Sequence, residues 1–573
     1  MKVFSQLKKN LKNDFSNLKP IKVALLGDTA TQFLSIALRG RGFELGFELQ
    51  IWEADFNQIE RQIFDPASEL YQFNPEVIIL FQSSHRLLQK YNKLKPEEYN
   101  RLAQRELELI DRFQTAINAK LSSKIIYYNY AEIDDSVFGN YANKIASSFI
   151  FQIRKLNYEL MVYAEKLPGF YICDLSSIQN HIGKATIFAP AMYINTEMVL
   201  SIDVLPGVAL RTVELIGSMY GKLKKCLVFD LDNTIWGGII GDDGLGHIHL
   251  GALGIGKAFT ELQHWIKKLK NRGIILAVCS KNTASIAKEP FEKHPDMVLR
   301  MEDISVFMAN WEDKVSNISQ IQNILNISFD SMVYLDDNPV ERSMVREHIP
   351  ALAIPDLPED PADYLEYLYT LNLFETVSFS NEDAERTKLY QTEVKRSAGK
   401  QEHANEDTFL ASLGMVCQVE PFNHFNIPRV AQLSQRSNQF NLRTVRYTDA
   451  DIKMLASSTD HYNFTFALKD KFGDNGLICV VILHKENSKT LFVDTWLMSC
   501  RVLKRGMENF VLNTITLFAR NNGFKTLKGE YQATAKNDIV KNHYKGLGFR
   551  EKGAFWLLDI DTYQPKKSHI AKK

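Results

Sequence analysis

The stretch CLVFDLDNTIWGGIIGDDG, residues 226–244, decides how the chain is read. A short apolar run ends in Asp230, and Asp232 follows two residues later. Such a run reads as a buried strand, and ligands of open α/β sheets bind beyond the carboxyl ends of their strands. Two carboxylates crowded there repel unless a cation lies between them, and hard oxygen ligands suit Mg²⁺.

Working outward, three more apolar runs follow: GIILAVCS (273–280), DMVLR (296–300) and SMVYLDD (331–337). Helical patterns separate them, around 257–271, 283–291 and 313–326. The alternation predicts a parallel sheet with crossover helices over 216–375. A D-x-D pair alone is often only a structural turn. Here Asp230, Asp232 and Thr234 are followed in order by Ser280, Lys314 and the Asp336–Asp337 pair. That order resembles the four motifs of the haloacid dehalogenase (HAD) superfamily. The resemblance implies that Asp230 attacks phosphorus. It implies that Asp232 is the general acid and base, and that Ser280 and Lys314 hold the phosphoryl oxygens. Mg²⁺ would sit on Asp230, the backbone carbonyl of Asp232, and Asp336 or Asp337. Thr234 and Asn282 are further candidates for contacting substrate.

The segment WGGIIGDDGLGHIHLG (236–251) reads as a Gly-rich hairpin flap, and no room is left for a large cap. The strings DLDNTIWGGIIGDDG, AVCSKN, NWEDK and VYLDDNPVER, with NQFNLRTVRY, DKFGDNG and LMSCRVLKRGMENF further on, resemble the FkbH-like branch of the superfamily. That resemblance implies removal of phosphate from a three-carbon acyl phosphate such as 1,3-bisphosphoglycerate. It further implies transfer of the glyceryl group to an acyl carrier protein thiol. Such chemistry needs a thiol or equivalent to keep the acyl group from water. Cys279, beside Ser280, is the candidate relay, and Cys500 a weaker one. The rival readings are a plain phosphatase acting on a small sugar or metabolite phosphate, and a scaffold or binding protein.

Two further units flank this one. Residues 1–215 carry βα-like runs (IKVALLGD, NPEVIILF, SKIIYYN), and LLGDTATQ resembles the first block of SGNH hydrolases. Thr29 would stand in the nucleophile's place, and Asp174 and His181 are spaced more widely than that family's Asp–His pair. A non-catalytic α/β domain is expected, with His85 lining a pocket. Residues 376–410 are polar and read as a helical connector. Residues 411–573 read as an α+β unit resembling the GNAT acyltransferase fold. Arg505–Gly506 would lie at the pyrophosphate-binding helix start and Tyr544 at the general-acid position, though Glu508 and Phe510 depart from that family's glycines. The expected architecture is α/β: a HAD-like Rossmannoid parallel sheet without a large cap, flanked by an SGNH/flavodoxin-like α/β domain and a GNAT-like α+β domain.

Lys+Arg and Asp+Glu are 68 each among 573 residues, so bulk charge offers no attraction for nucleic acid or a membrane surface. The six cysteines are scattered without C-x-x-C spacing, which fits buried free thiols in a cytoplasmic protein. No apolar stretch approaches the ~20 residues of a bilayer span.

Overall fold

The computed structural model describes residues 3–379, 383, 386–400, 405–499, 502–503, 505–534 and 536–573. The chain divides into two compact units, 1–218 and 219–573.

In the first unit, strands β1 (Lys19–Gly27), β2 (Phe47–Glu53), β3 (Val77–Phe81), β4 (Lys124–Tyr128) and β5 (Phe170–Cys173) form one sheet in the order β2-β1-β3-β4-β5. Every neighbouring pair is parallel. This is the flavodoxin-like winding. The run VIILF is buried at every position, as a strand covered on both faces must be.

Asp28, one residue past β1, is buried and accepts the Ser83 N–H on both oxygens, at 3.0 and 2.9 Å. Burial lifts its carboxyl to about 7, against those hydrogen bonds, which pull it down. An acid raised in the fold adds stability that is complete below its unfolded value of 3.8 and is lost as pH rises through about 7. Asp28→Asn should therefore remove a pH-dependent loss of protection at the β1 amides between those limits. The slope removed is at most about 1.4 kcal/mol per pH unit, measured by hydrogen exchange.

In the second unit, β6 (Cys226–Phe229), β7 (Ile275–Ser280), β8 (Ile304–Ala309) and β9 (Met332–Leu335) make a parallel sheet in the order β8-β7-β6-β9. Alternate residues feed two cores. Leu227, Phe229, Leu276, Val278, Val333 and Leu335 pack on one face with Phe259, Leu262 and Ile266 of the helix Gly254–Asn271. Cys226, Val228, Ile275, Ala277, Met332 and Tyr334 pack on the other with Ile318, Ile321 and Leu325 of the helix Lys314–Leu325. The chain leaves β6 for β7 on one side and later returns to β9 on the other, so the crevice opens at the carboxyl end of β6.

Two expectations change. DMVLR is not a strand: the third strand is the next apolar run, ISVFMA, reached through a turn at Met301–Asp303. The flap is not a regular hairpin. A single antiparallel bridge joins Gly237 to His249, and Ile240–Asp243 form a short helical turn. Asp243 folds back on the Ile239 N–H at 2.7 Å, so a local acceptor competes with a ladder partner there.

The remaining sheet holds β10 (Val416–Glu420), β11 (His461–Asp470), β12 (Gly473–Lys485), β13 (Thr490–Met498), β14 (Thr526–Glu530), β15 (Arg550–Lys552), β16 (Phe555–Asp559) and β17 (Ala571–Lys572). Its order is β15-β16-β14-β13-β12-β11-β10-β17. It is antiparallel except at β10–β17 and at β13–β14, which pair only through Thr490–Phe492 and Thr526–Lys528 before separating. This is an α+β arrangement. The polar connector is helical over Arg386–Lys400. It docks through Tyr390, which enters the core beside Tyr334, and through the Arg396–Asp470 ion pair at 2.8 Å. Among the described residues, no helix is long and apolar enough to cross a membrane.

Candidate active site

The first motif folds as a tight turn off β6. Asn233 takes the left-handed conformation (φ 54°), which Asn tolerates better than most residues. Its side chain accepts the N–H of Gly238 at 2.9 Å. The turn leaves Asp230 at the sheet edge, with its own N–H on the Leu335 carbonyl of β9 at 2.9 Å. The fourth motif meets it from β9. Asp230, Asp336 and Asp337 each place a carboxylate oxygen within 4.8 Å of the others. Three hard oxygen donors converging in this way fit a divalent cation of the Mg²⁺ type.

Each member is tethered. Asp336 is fully buried, accepts the Tyr334 hydroxyl on Oδ2, and accepts the Asn338 N–H at 2.8 Å on Oδ1. Asp337 Oδ1 accepts the Thr234 hydroxyl at 3.1 Å, and that hydroxyl accepts the Asp337 N–H at 3.1 Å. Arg342 donates to the Asp336 and Asp337 carbonyls at 2.8 and 2.7 Å, fixing the loop from behind. Burial raises the carboxyls of Asp336 and Asp337, the latter to about 6, with the Asp336 charge adding to the effect.

Lys314 opens its helix directly after Asp313, whose side chain caps the Ser316 N–H at 2.8 Å. Its Nζ lies 2.7 Å from Asp230 Oδ2 and 3.3 Å from Asp336 Oδ2, and donates to the Cys279 carbonyl at 2.9 Å. Burial alone would lower this ammonium, but Asp230 and Asp336 outweigh it and hold it above its ordinary value. Ser280 ends β7, buried, and its carbonyl accepts the Asn310 N–H at 3.2 Å. Asp232 stands apart from the three converging carboxylates. It accepts Trp236 Nε1 at 2.8 Å and the Ile240 N–H at 3.0 Å on Oδ1, and Asn282 Nδ2 at 2.8 Å on Oδ2. Burial raises its carboxyl, against those donors.

The structure thus brings Asp230, Lys314, Asp336, Asp337 and Thr234 together. Asn282, expected to contact substrate, donates to Asp232.

The family to which this architecture belongs follows from its relatives. The N-terminal part of a Bacteroides fragilis protein, described as containing a phosphatase domain and solved in complex with Mg, is 54% identical to this chain. It covers 66% of this chain and 100% of its own length, with a TM-score of 0.64. The sequence family described as FkbH, N-terminal domain, matches residues 22–217. The chain belongs to the FkbH-like proteins of the HAD superfamily. Also matched is the ribosomal-protein-S18-alanine N-acetyltransferase of Escherichia coli, 16% identical over 25% of this chain and 94% of its own, at a TM-score of 0.20. No curated protein matches.

Other expected site residues of this FkbH-like chain lie elsewhere. Cys279 points into the core beside Cys226, Val228 and Tyr334, opposite to the side its neighbours Val278 and Leu276 take. It is fully buried, and burial pushes its thiol up to about 12, which removes the thiolate a relay needs. The acyl-relay expectation is corrected on that ground. Cys500 lies outside the described residues. Arg505 is buried and ion-paired with Glu393 of the connector and with Asp470 at 3.4 Å. It therefore serves the interior where a pyrophosphate contact was expected. Gly506 caps the helix Met507–Asn521 in the left-handed region (φ 76°), with Glu508 in the first turn. Tyr544, on the short helix His543–Gly546, is fully buried against Phe549 and Trp556, and burial raises its phenol. A Cβ on Gly529 would meet its ring at 2.3 Å, so the glycine exists to admit it. The placements of Arg505 and Tyr544 correct their reading as substrate contacts; Gly506 stands at the helix start where it was expected.

In the first unit, Thr29 is fully buried. His85 lies between Phe188 and Tyr193, ring centroids 4.7 and 4.5 Å away, and burial draws it down to about 4. Asp174 caps the helix Leu175–Ile182 and accepts Asn129 Nδ2 at 2.8 Å. That is a structural use, in keeping with a non-catalytic reading.

Trp236, Tyr334 and Arg342 were not singled out by sequence. Each looks like an ordinary core or helix residue until the fold brings its polar atom to the motif.

Proposed function

We propose that the β6–β9 domain is a Mg²⁺-dependent aspartyl phosphotransferase. We propose further that it removes phosphate from a three-carbon acyl phosphate of the 1,3-bisphosphoglycerate kind and passes the glyceryl group to the phosphopantetheine thiol of an acyl carrier protein. The observation that carries the first part is the convergence of Asp230, Asp336 and Asp337 around Lys314 at the carboxyl edge of the sheet. The Mg-bound phosphatase-domain relative supports the same metal here.

The three carboxylates would hold Mg²⁺, which offsets phosphate charge when bound. An Asp230 oxygen forms a bond to phosphorus of the C3 phosphate ester as the bond from phosphorus to the C3 oxygen breaks. The C1 acyl phosphate stays intact, and the carrier thiol attacks its carbonyl carbon, loses its proton and expels the C1 phosphate. Lys314 neutralises charge on the aspartate and the phosphoryl oxygens. Asp232 gives a proton to the leaving oxygen and takes one from the acceptor in the second step.

A plain phosphatase is the second reading, and one observation favours it. Every described cysteine is buried, so none is placed to relay an acyl group. Intact-mass spectrometry of a phosphopantetheinylated carrier, incubated with this protein, Mg²⁺ and 1,3-bisphosphoglycerate generated in place, separates the two. A glyceryl adduct with wild type and none with Asp230→Asn is the expected outcome. Phosphate release with an unmodified carrier assigns the plain phosphatase.

A further inference from the structure

Asp232 is gripped by two pieces of chain. Trp236 and Ile240 lie in the segment that follows the first motif, and Asn282 lies just beyond β7. The indole is a fixed donor. Trp236 is fully buried, packs edge-on against Phe291 at 6.0 Å, and follows Ile235, whose carbonyl accepts Gln263 Nε2 at 2.8 Å. A buried indole N–H seeks a partner, and a bond to a carboxylate is stronger than one between neutral groups. The two carboxylate oxygens are used unequally. Oδ1 accepts two N–H groups, whereas Oδ2 accepts only the Asn282 amide, leaving Oδ2 the oxygen with acceptor capacity to spare.

We propose that Trp236 is a positioning residue that fixes the Asp232 carboxyl so that Oδ2 gives and takes the proton during phosphoryl transfer; this rests on the phosphotransferase reading above. In the first step the Asp230–phosphorus bond forms, the bond from phosphorus to the leaving oxygen breaks, and the proton on Asp232 Oδ2 moves to that oxygen. In the second step water attacks phosphorus, its proton goes to Oδ2, and the Asp230–phosphorus bond breaks to release phosphate. A poor leaving group such as an alkoxide needs that proton. A phenolate carrying a nitro group leaves without it.

The leaving group therefore reads the role of Trp236. The test compares kcat/KM for glycerol 3-phosphate and for p-nitrophenyl phosphate, with Mg²⁺, in wild type and Trp236→Phe. A protein with β-(3-benzothienyl)alanine at 236 keeps the bicycle and lacks the N–H, so it covers the case in which the phenylalanine variant fails to fold. A loss of roughly 10- to 10²-fold on the alkyl ester, with the aryl ester within about twofold, is expected. Equal losses on both esters, or no loss on either, would overturn the proposal. If wild type released phosphate from neither ester, the phosphotransferase reading itself would fall, and the proposal with it.

Discussion

Asp230→Asn should lower kcat for phosphate release by at least about 10⁴-fold, because it removes the nucleophile and leaves the rest of the site standing. The carboxamide matches the carboxylate in size. It can still accept the Leu231 N–H that now bonds Oδ1 at 2.8 Å, so the turn should survive. What disappears is the negative oxygen that faces Lys314 and one of three converging ligands. The variant should therefore also bind Mg²⁺ more weakly, which titration calorimetry reads independently of turnover. A variant retaining substantial activity would mean that another group attacks phosphorus.

Lys314→Ala should be the most destabilising change at the site. The ammonium is almost wholly buried and is held by two carboxylates and a carbonyl. Its removal leaves Asp230 and Asp336 facing each other without a counter-charge, and breaking a buried ion pair by deleting one partner costs about 3–5 kcal/mol. The loss should appear in urea unfolding of the second unit. It should shrink when Mg²⁺ is added, because a ligand that binds only the folded site stabilises it. Activity should fall as well, since no other described side chain holds that position between the two aspartates.

Much of this was legible in the sequence because HAD-type chemistry sits at strand ends. An apolar run that stops at Asp230, Ser280 or Asp336 announces both the strand and the edge. The boundaries of β8 were not legible. Two apolar runs, DMVLR and ISVFMA, lie close together, and periodicity cannot choose between short runs. Packing chose the second, whose residues pair with β7 from Leu276 to Ser280. The supporting contacts of Trp236, Tyr334 and Arg342 were invisible because they depend on which distant carboxylate or carbonyl each side chain meets. Cys279 misled for the converse reason. Its neighbour in sequence, Ser280, ends β7, but the Cys279 thiol is turned into the core with Cys226, Val228 and Tyr334. Arg505 has the right position beside a helix start, and only the fold shows that Glu393 and Asp470 already use its charge.

The most direct test of the central claim is to trap the phosphorylated protein. Wild type would be mixed with substrate and Mg²⁺, quenched in acid, reduced with borohydride and mapped by peptide mass spectrometry. Reduction of an aspartyl phosphate leaves homoserine, and that conversion is expected at position 230 alone. Homoserine elsewhere, or rapid phosphate release with residue 230 unmodified at every quench time, would contradict Asp230 as the nucleophile.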